Sequence, residues 1–109
     1  MSDHSLGEFE ELVLLMVAAY NREAYGVLIL ENLEEKLNKK VNVSAVHVAL
    51  KRIENKGFVA SSYGGITKER GGRRKKYYEI TSLGKKVLDR QYELRTSIYK
   101  QIPNISFGQ

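Results

Sequence analysis

Ser44-Ala-Val-His-Val-Ala-Leu-Lys-Arg-Ile-Glu-Asn-Lys-Gly57 reads as a helix with two unlike faces. Val46, Ala49, Leu50 and Ile53 recur at the i, i+3, i+4, i+7 spacing that predicts an inward stripe. The opposite face carries Ser44, His47, Val48, Lys51, Arg52 and Asn55, and is basic at its centre. Ser44 is placed to cap this helix, and Gly57 to stop it in a left-handed conformation. A helix about 10–12 Å across, with an apolar back and a polar front, has the shape required to enter a B-DNA major groove about 12 Å wide.

Working outward, Phe58 to Tyr63 and Lys75 to Ile80 have strand character, and Gly64-Gly65 and Gly71-Gly72 bracket the loop between them. This pattern predicts a long-tipped β-hairpin. Six basic residues and one acid fall between Lys68 and Lys76. Tyr77 and Tyr78 must point to opposite faces of their strand, and alternation alone leaves open which is buried. Thr81 can cap a last helix running to about Gln101, ahead of Pro103, with Leu83, Val87, Leu88, Tyr92, Leu94, Ile98, Tyr99 and Ile102 apolar. Upstream, Ser5-Leu-Gly-Glu8 fits a capping box that opens a helix to about Asn21. That helix is apolar nearly all round, which implies burial on more than one side. A second helix is expected from about Ala24 to Asn38, with Leu30, Leu33 and Leu37 inward and Gly26 allowing close packing near its start. Three helices, a hairpin and a trailing helix define a mainly α fold with a small β-hairpin, a winged helix-turn-helix plus a C-terminal dimerisation helix. The expected division is 1–80 for the winged helix-turn-helix and 81–109 for the dimerisation helix and tail, as one compact unit. The surplus apolar surface of the first and last helices is expected to meet a second copy of the chain.

Composition narrows the function. The 109 residues are 42% hydrophobic and 28% charged, as in a globular domain. With no cysteine and only His4 and His47, thiol chemistry and histidine-built metal or catalytic sites are not expected. No nucleophile–base pair, paired catalytic carboxylates or P-loop is visible, so no enzyme and no cofactor are expected. The longest run without charged or strongly polar residues, Leu12 to Tyr20, is nine residues against the roughly twenty of a membrane span. A cytoplasmic protein that engages no membrane is expected. The net charge of +5 is unevenly spread: residues 1–21 sum to −4 and residues 51–90 to +8. Such concentration suggests a face for a polyanion, the alternative being a solvated basic surface without a partner.

The motifs resemble those of the PadR family of transcriptional regulators, in a short form with a single C-terminal helix. The likeness is carried by Leu6-Gly-Glu-Phe-Glu-Glu-Leu-Val-Leu-Leu14, Tyr25-Gly26, Leu50-Lys-Arg-Ile-Glu-Asn-Lys-Gly57, Gly72-Arg-Arg-Lys-Lys-Tyr-Tyr78 and Ile80-Thr-Ser-Leu-Gly84. It spans roughly residues 6–90. Two departures stand out: His47-Val48 where the family often has Tyr-Pro, and Arg74 where it often has Pro. The second adds a charge and releases a φ angle that proline would have fixed.

The resemblance and the charge pattern together imply a homodimeric, sequence-specific binder of duplex DNA, probing a palindromic operator and acting as a repressor. Ser44, His47, Val48 and Lys51 are expected at base edges. Arg52 and the wing residues Lys68, Arg70, Arg73, Arg74, Lys75 and Lys76 are expected at the backbone or minor groove. His47 can equally be a neutral surface residue, and Lys51 and Arg52 ordinary solvated charges. The resemblance further implies a small apolar or aromatic effector near the dimer seam, for which Leu15, Tyr92, Leu94 and Ile98 are candidates, the alternative being simple seam packing. The competing classes are an RNA-binding winged helix and a protein-interaction adaptor.

Overall fold

Phe58, Leu14, Ile29, Leu33, Leu50 and Ile53 are among the largest side chains withdrawn from solvent, and they come from four different segments. The computed structural model that shows this describes residues 6–66 and 74–108. Its elements are α1 (Glu8–Ala19), α2 (Gly26–Leu37), α3 (Val43–Asn55), β1 (Val59–Ile66), β2 (Arg74–Ile80) and α4 (Ser82–Tyr99). The strands form a two-stranded antiparallel hairpin in which Val59 pairs with Ile80, Ser61 with Tyr78 and Tyr63 with Lys76. The fold is thus mainly helical with a winged-helix order of elements, as the sequence predicts.

Several boundaries differ from the sequence expectation for local reasons. α1 starts at Glu8, so its third residue is Glu10, and it is the Glu10 carboxylate that accepts the Gly7 N–H at 3.2 Å, in place of Glu8. Ser5 lies outside the described residues. α2 starts two residues late because the preceding backbone serves the hairpin: the Arg22 N–H donates to Tyr78 O and the Tyr78 N–H donates to Ala24 O. Its buried stripe is Ile29 and Leu33, while Leu30 is half-buried and Leu37 is exposed. α3 is capped by Asn42 and not by Ser44. The Asn42 Oδ1 accepts from the Ser44 and Ala45 amides at 2.7 and 3.3 Å, which places Ser44 inside the first turn.

The end of α3 follows the sequence closely. Gly57 adopts φ +82°, its N–H donates to Glu54 O, and the Phe58 N–H donates to Ile53 O. This paired arrangement satisfies the last carbonyls of the helix and needs a residue tolerant of positive φ. Phe58 then enters the core and does not join β1. Val46, Ala49, Leu50 and Ile53 are all buried, as expected of the inward stripe. Tyr78 is buried and Tyr77 only partly so, which settles the choice that alternation left open. Thr81 caps α4 by accepting the Gly84 N–H at 3.0 Å, and its hydroxyl donates to Gly57 O.

α4 behaves differently along its length. Gly84, Val87 and Leu88 are buried, and Gln91 and Arg95 donate to the Glu11 carboxylate of α1. Beyond these contacts Leu94, Ile98, Tyr99 and Ile102 are each more than half exposed. The chain measures 60 × 38 × 22 Å with a radius of gyration of 16.8 Å. A compact chain of this length has a radius near 13 Å, so the end of α4 projects from the body.

Candidate nucleic-acid interface

Ser44, His47, Val48, Lys51, Arg52 and Asn55 are all exposed on one side of α3, because the stripe opposite them is used by the core. Beside this face runs a cleft of about 590 Å³ between α3, the start of α2 and β2. α3 contributes His47, Lys51 and Asn55 to its lining, β2 contributes Arg74 and Lys75, and the start of α2 contributes Tyr25, Gly26 and Val27. A Cβ on Gly26 would lie 3.2 Å from His47 Cε1, so the glycine lets the imidazole rest against the start of α2. Close packing at Gly26 was expected, and His47 is the residue that uses it.

Two features of the cleft were not legible in the sequence. The Lys75 ammonium lies 4.2 Å above the centre of the Tyr25 ring, and Tyr77 meets the same ring edge-on at 5.9 Å. A cation over an aromatic face is held electrostatically, which keeps the Lys75 ammonium beside Tyr25 in the cleft lining. Gly64 makes room for Tyr77, since a Cβ there would come within 2.5 Å of the ring. Tyr25 lends no side-chain cap to α2, and Gly26 and Val27 of its first turn line the cleft, so the partial positive charge of the helix start lies beside it.

Not every basic residue is equally available. Lys76 sits 3.6 Å from the Glu54 carboxylate and within 6 Å of the Tyr63 and Tyr78 rings. Burial lowers the Lys76 pKa, but the neighbouring Tyr78 and Glu54 outweigh it and hold the ammonium above its ordinary value. Arg52 lies 3.8 Å from Glu10, whose carboxylate also takes Lys56 at 2.8 Å. Glu10 is a buried acid, with 11% of its side chain exposed. Burial alone would raise its pKa. The hydrogen bonds from Lys56 and the Gly7 N–H, with the charges of Lys56 and Arg52, more than offset this and leave the pKa lowered. Lys68, Arg70 and Arg73 lie outside the described residues. Among the described residues, no three His, Asp or Glu side chains converge as metal ligands would, and no helix is long and apolar enough to cross a membrane.

This arrangement has relatives. Residues 14–90 match the model of the transcriptional regulator PadR-like family. An uncharacterized protein of Lysinibacillus sphaericus is 30% identical over 89 residues, covering 80% of this chain and 77% of its own. A PadR family transcription regulator of Clostridium difficile superimposes with a TM-score of 0.67 at 25% identity, over 86% of this chain and 93% of that one. A PadR-like transcription factor of Bacteroides fragilis gives 0.72 at 18%, over 84% of each chain. RosR of H. salinarum gives 0.71 at 23%, over 92% of this chain and 83% of that one. The chain belongs to the PadR-like family of transcriptional regulators.

In this PadR-like regulator, the residues expected near an effector are not gathered into one site within a single chain. Leu15, Tyr92, Leu94 and Ile98 are 45%, 71%, 54% and 56% exposed. At about 100° per residue, Tyr92 and Leu94 point some 200° apart around α4, so its outer half is apolar on two sides. Tyr92 shares its side with Tyr99, and Leu94 shares the other with Ile98.

Proposed function

We propose that this PadR-like regulator binds duplex DNA as a homodimer, laying the exposed face of α3 in the major groove and a phosphate strand in the cleft beside it. The observation that carries this reading is the cleft. Lys51 of α3, Arg74 and Lys75 of β2 and the start of α2 line a single space. Phosphate contacts of this kind position a protein without reading sequence, and base edges are left to α3. Ser44, His47, Val48 and Lys51 are the readers. Arg52, whose guanidinium lies 3.8 Å from the Glu10 carboxylate, and the basic wing cluster serve the backbone.

Dimerisation supplies what the single chain lacks. The outer half of α4 and the exposed Leu15 of α1 are covered by the same surfaces of a second copy. Residues 1–80 then act as the reading head and 81–109 as the coupling arm. Two α3 helices set about 34 Å apart read the half-sites of a palindrome. Occupancy of such an operator represses transcription by blocking the promoter, in the cytoplasm, and a small apolar or aromatic effector seated between α1 and α4 of the two chains releases it.

Selection of genomic fragments by the purified protein tests the whole reading. The expected result is enrichment of palindromic duplexes, including the region upstream of its own gene. Stronger binding to structured RNA than to duplex DNA at equal salt, or binding to a protein partner that survives neutralisation of Arg74 and Lys75, refutes it.

A further inference from the structure

A carboxylate stands among the cations of the cleft. Glu54 lies on α3 one turn beyond Leu50 and contributes to the cleft lining, with 32% of its side chain exposed. An acid facing a phosphate strand weakens binding, so its presence calls for a compensating role. Its two oxygens are divided between the two strands of the hairpin. Oε2 accepts from the Ser61 hydroxyl of β1 at 2.5 Å, and Oε1 faces the Lys76 ammonium of β2 at 3.6 Å. The register places Ser61 opposite Tyr78 and Lys76 opposite Tyr63, so all four side chains share the hairpin face that meets α3. Phe58, Val59 and Tyr78 anchor the root of the hairpin in the core. Lys76 lies two residues nearer the tip than Tyr78. A single side chain thus braces both strands against the reading helix, beyond the apolar root.

We infer that Glu54 is a positioning residue for sequence discrimination: it fixes the tilt of the wing against α3, so that phosphate contacts by the wing and base contacts by α3 are made in one register. The inference rests on the duplex-DNA reading above. Glu54 touches no base and no phosphate. Its effect passes through the placement of Arg74 and Lys75 relative to Lys51 and His47. With the brace intact, only the correct groove geometry satisfies both sets at once. With it broken, the wing finds phosphates on any duplex while α3 sits imperfectly on its own site.

The brace and a plain surface charge predict different results. If Glu54 were only a surface acid, Glu54→Gln would strengthen binding to every duplex by one factor. As a brace, Glu54→Gln strengthens non-specific binding, since Lys76 becomes available to phosphate, and weakens operator binding. The specific-to-non-specific ratio then falls roughly ten-fold, the scale of one lost base contact. The log–log salt slope on non-specific duplex steepens by about 0.9 per chain as one more phosphate is neutralised. Glu54→Asp keeps the charge but cannot span both strands, and the ratio is expected to fall there too. Ser61→Ala removes one tie without changing any charge and lowers the ratio by a smaller factor.

The experiment is fluorescence anisotropy of the full-length protein on its selected operator and on a scrambled duplex, from about 50 to 200 mM salt, with melting curves for each variant. Equal strengthening on both duplexes by Glu54→Gln, or a wild-type ratio in both Glu54→Asp and Ser61→Ala, overturns the brace and leaves the DNA reading standing. A wild-type protein that fails to distinguish any two duplexes overturns both.

Discussion

Replacing Gly84 with alanine adds one methyl group where α4 meets the end of α3. Placed on the existing backbone, that Cβ falls 2.1 Å from the carbonyl oxygen of Phe58 and 2.9 Å from Ile80 Cγ1. The nearer neighbour cannot swing away as a long side chain would, because it is backbone. The contact is about 0.9 Å short of the 3.0 Å below which such approaches are not found, so α4 must lift. Lifting strains the bond from the Thr81 N–H to the same Phe58 oxygen, now 3.0 Å, and the Thr81 hydroxyl bond to Gly57 O. Overpacking of this kind costs about 1–3 kcal/mol, and a weakened hydrogen bond a further ~0.5–1.5 kcal/mol. Alanine returns about 0.5–1 kcal/mol through its higher helix propensity. The balance is a loss of about 0.5–4 kcal/mol, so the packing term wins over propensity. For a domain of this size a loss of about 2 kcal/mol lowers Tm by roughly 10 °C. Thermal melting of wild type and Gly84→Ala at one protein concentration measures it, the shared concentration removing any mass-action contribution from association. A Tm within about 2 °C of wild type, or above it, refutes the packing argument.

Other expectations follow from the same geometry. Glu10→Gln should cost about 1.5–3 kcal/mol at neutral pH, since it removes a charge-assisted bond to Lys56 and weakens the hold on Arg52. Because the folded-state pKa of Glu10 is lowered, its stabilisation is complete above its unfolded pKa and disappears as pH falls through the folded one. The gap between urea melts of the two proteins should therefore begin to narrow as pH falls past the ordinary glutamate value of about 4.3 and close below the lowered folded one, and a constant gap would contradict the assignment. Replacing Arg74 and Lys75 together with Ala should weaken operator and non-specific duplex alike and flatten the salt dependence. Lys51→Ala should cost about 1–3 kcal/mol on the operator and relax preference at one base step. A reversal, with the wing setting preference and Lys51 silent, would move the reader from α3 to the hairpin. Leu94→Arg with Ile98→Arg changes side chains already exposed in the single chain, so the fold should persist while sedimentation shifts from dimer to monomer. A dimer that survives the double change would place the seam elsewhere.

How far the sequence reaches can be followed along α3. Its inward stripe, its glycine stop and its exposed basic face are consequences of periodicity within one segment, and all are found in the structure. The cap was misplaced because Asn42 and Ser44 are both good acceptors two residues apart, and nothing local chooses between them. Across the hairpin, alternation separates Tyr77 from Tyr78, but the burial of Tyr78 depends on Ala24, fifty-four residues upstream, pairing with its backbone. In the sequence Glu10 is one of the acids that make residues 1–21 sum to −4. Its burial depends on Lys56, forty-six residues away, arriving beside it. Tyr25 enters the sequence reading as part of the Tyr25-Gly26 motif, and its place under Lys75 emerges only when α2 and β2 are assembled. What local pattern conveys is each element and its face. What it omits is which charges are spent on one another and which remain for a ligand.

The contact between Gly26 and His47 has a consequence for how such a regulator diversifies. The space in front of the imidazole is set by the absence of a side chain on a different helix. A one-carbon change at position 26 presses on the ring at 3.2 Å and moves it by a few tenths of an ångström. If His47 reads a base edge, the target preference of a lineage can drift through a codon that no inspection of the reading helix would flag. Two paralogues with identical α3 sequences would then answer to different promoters, and the record of their divergence would lie one helix upstream.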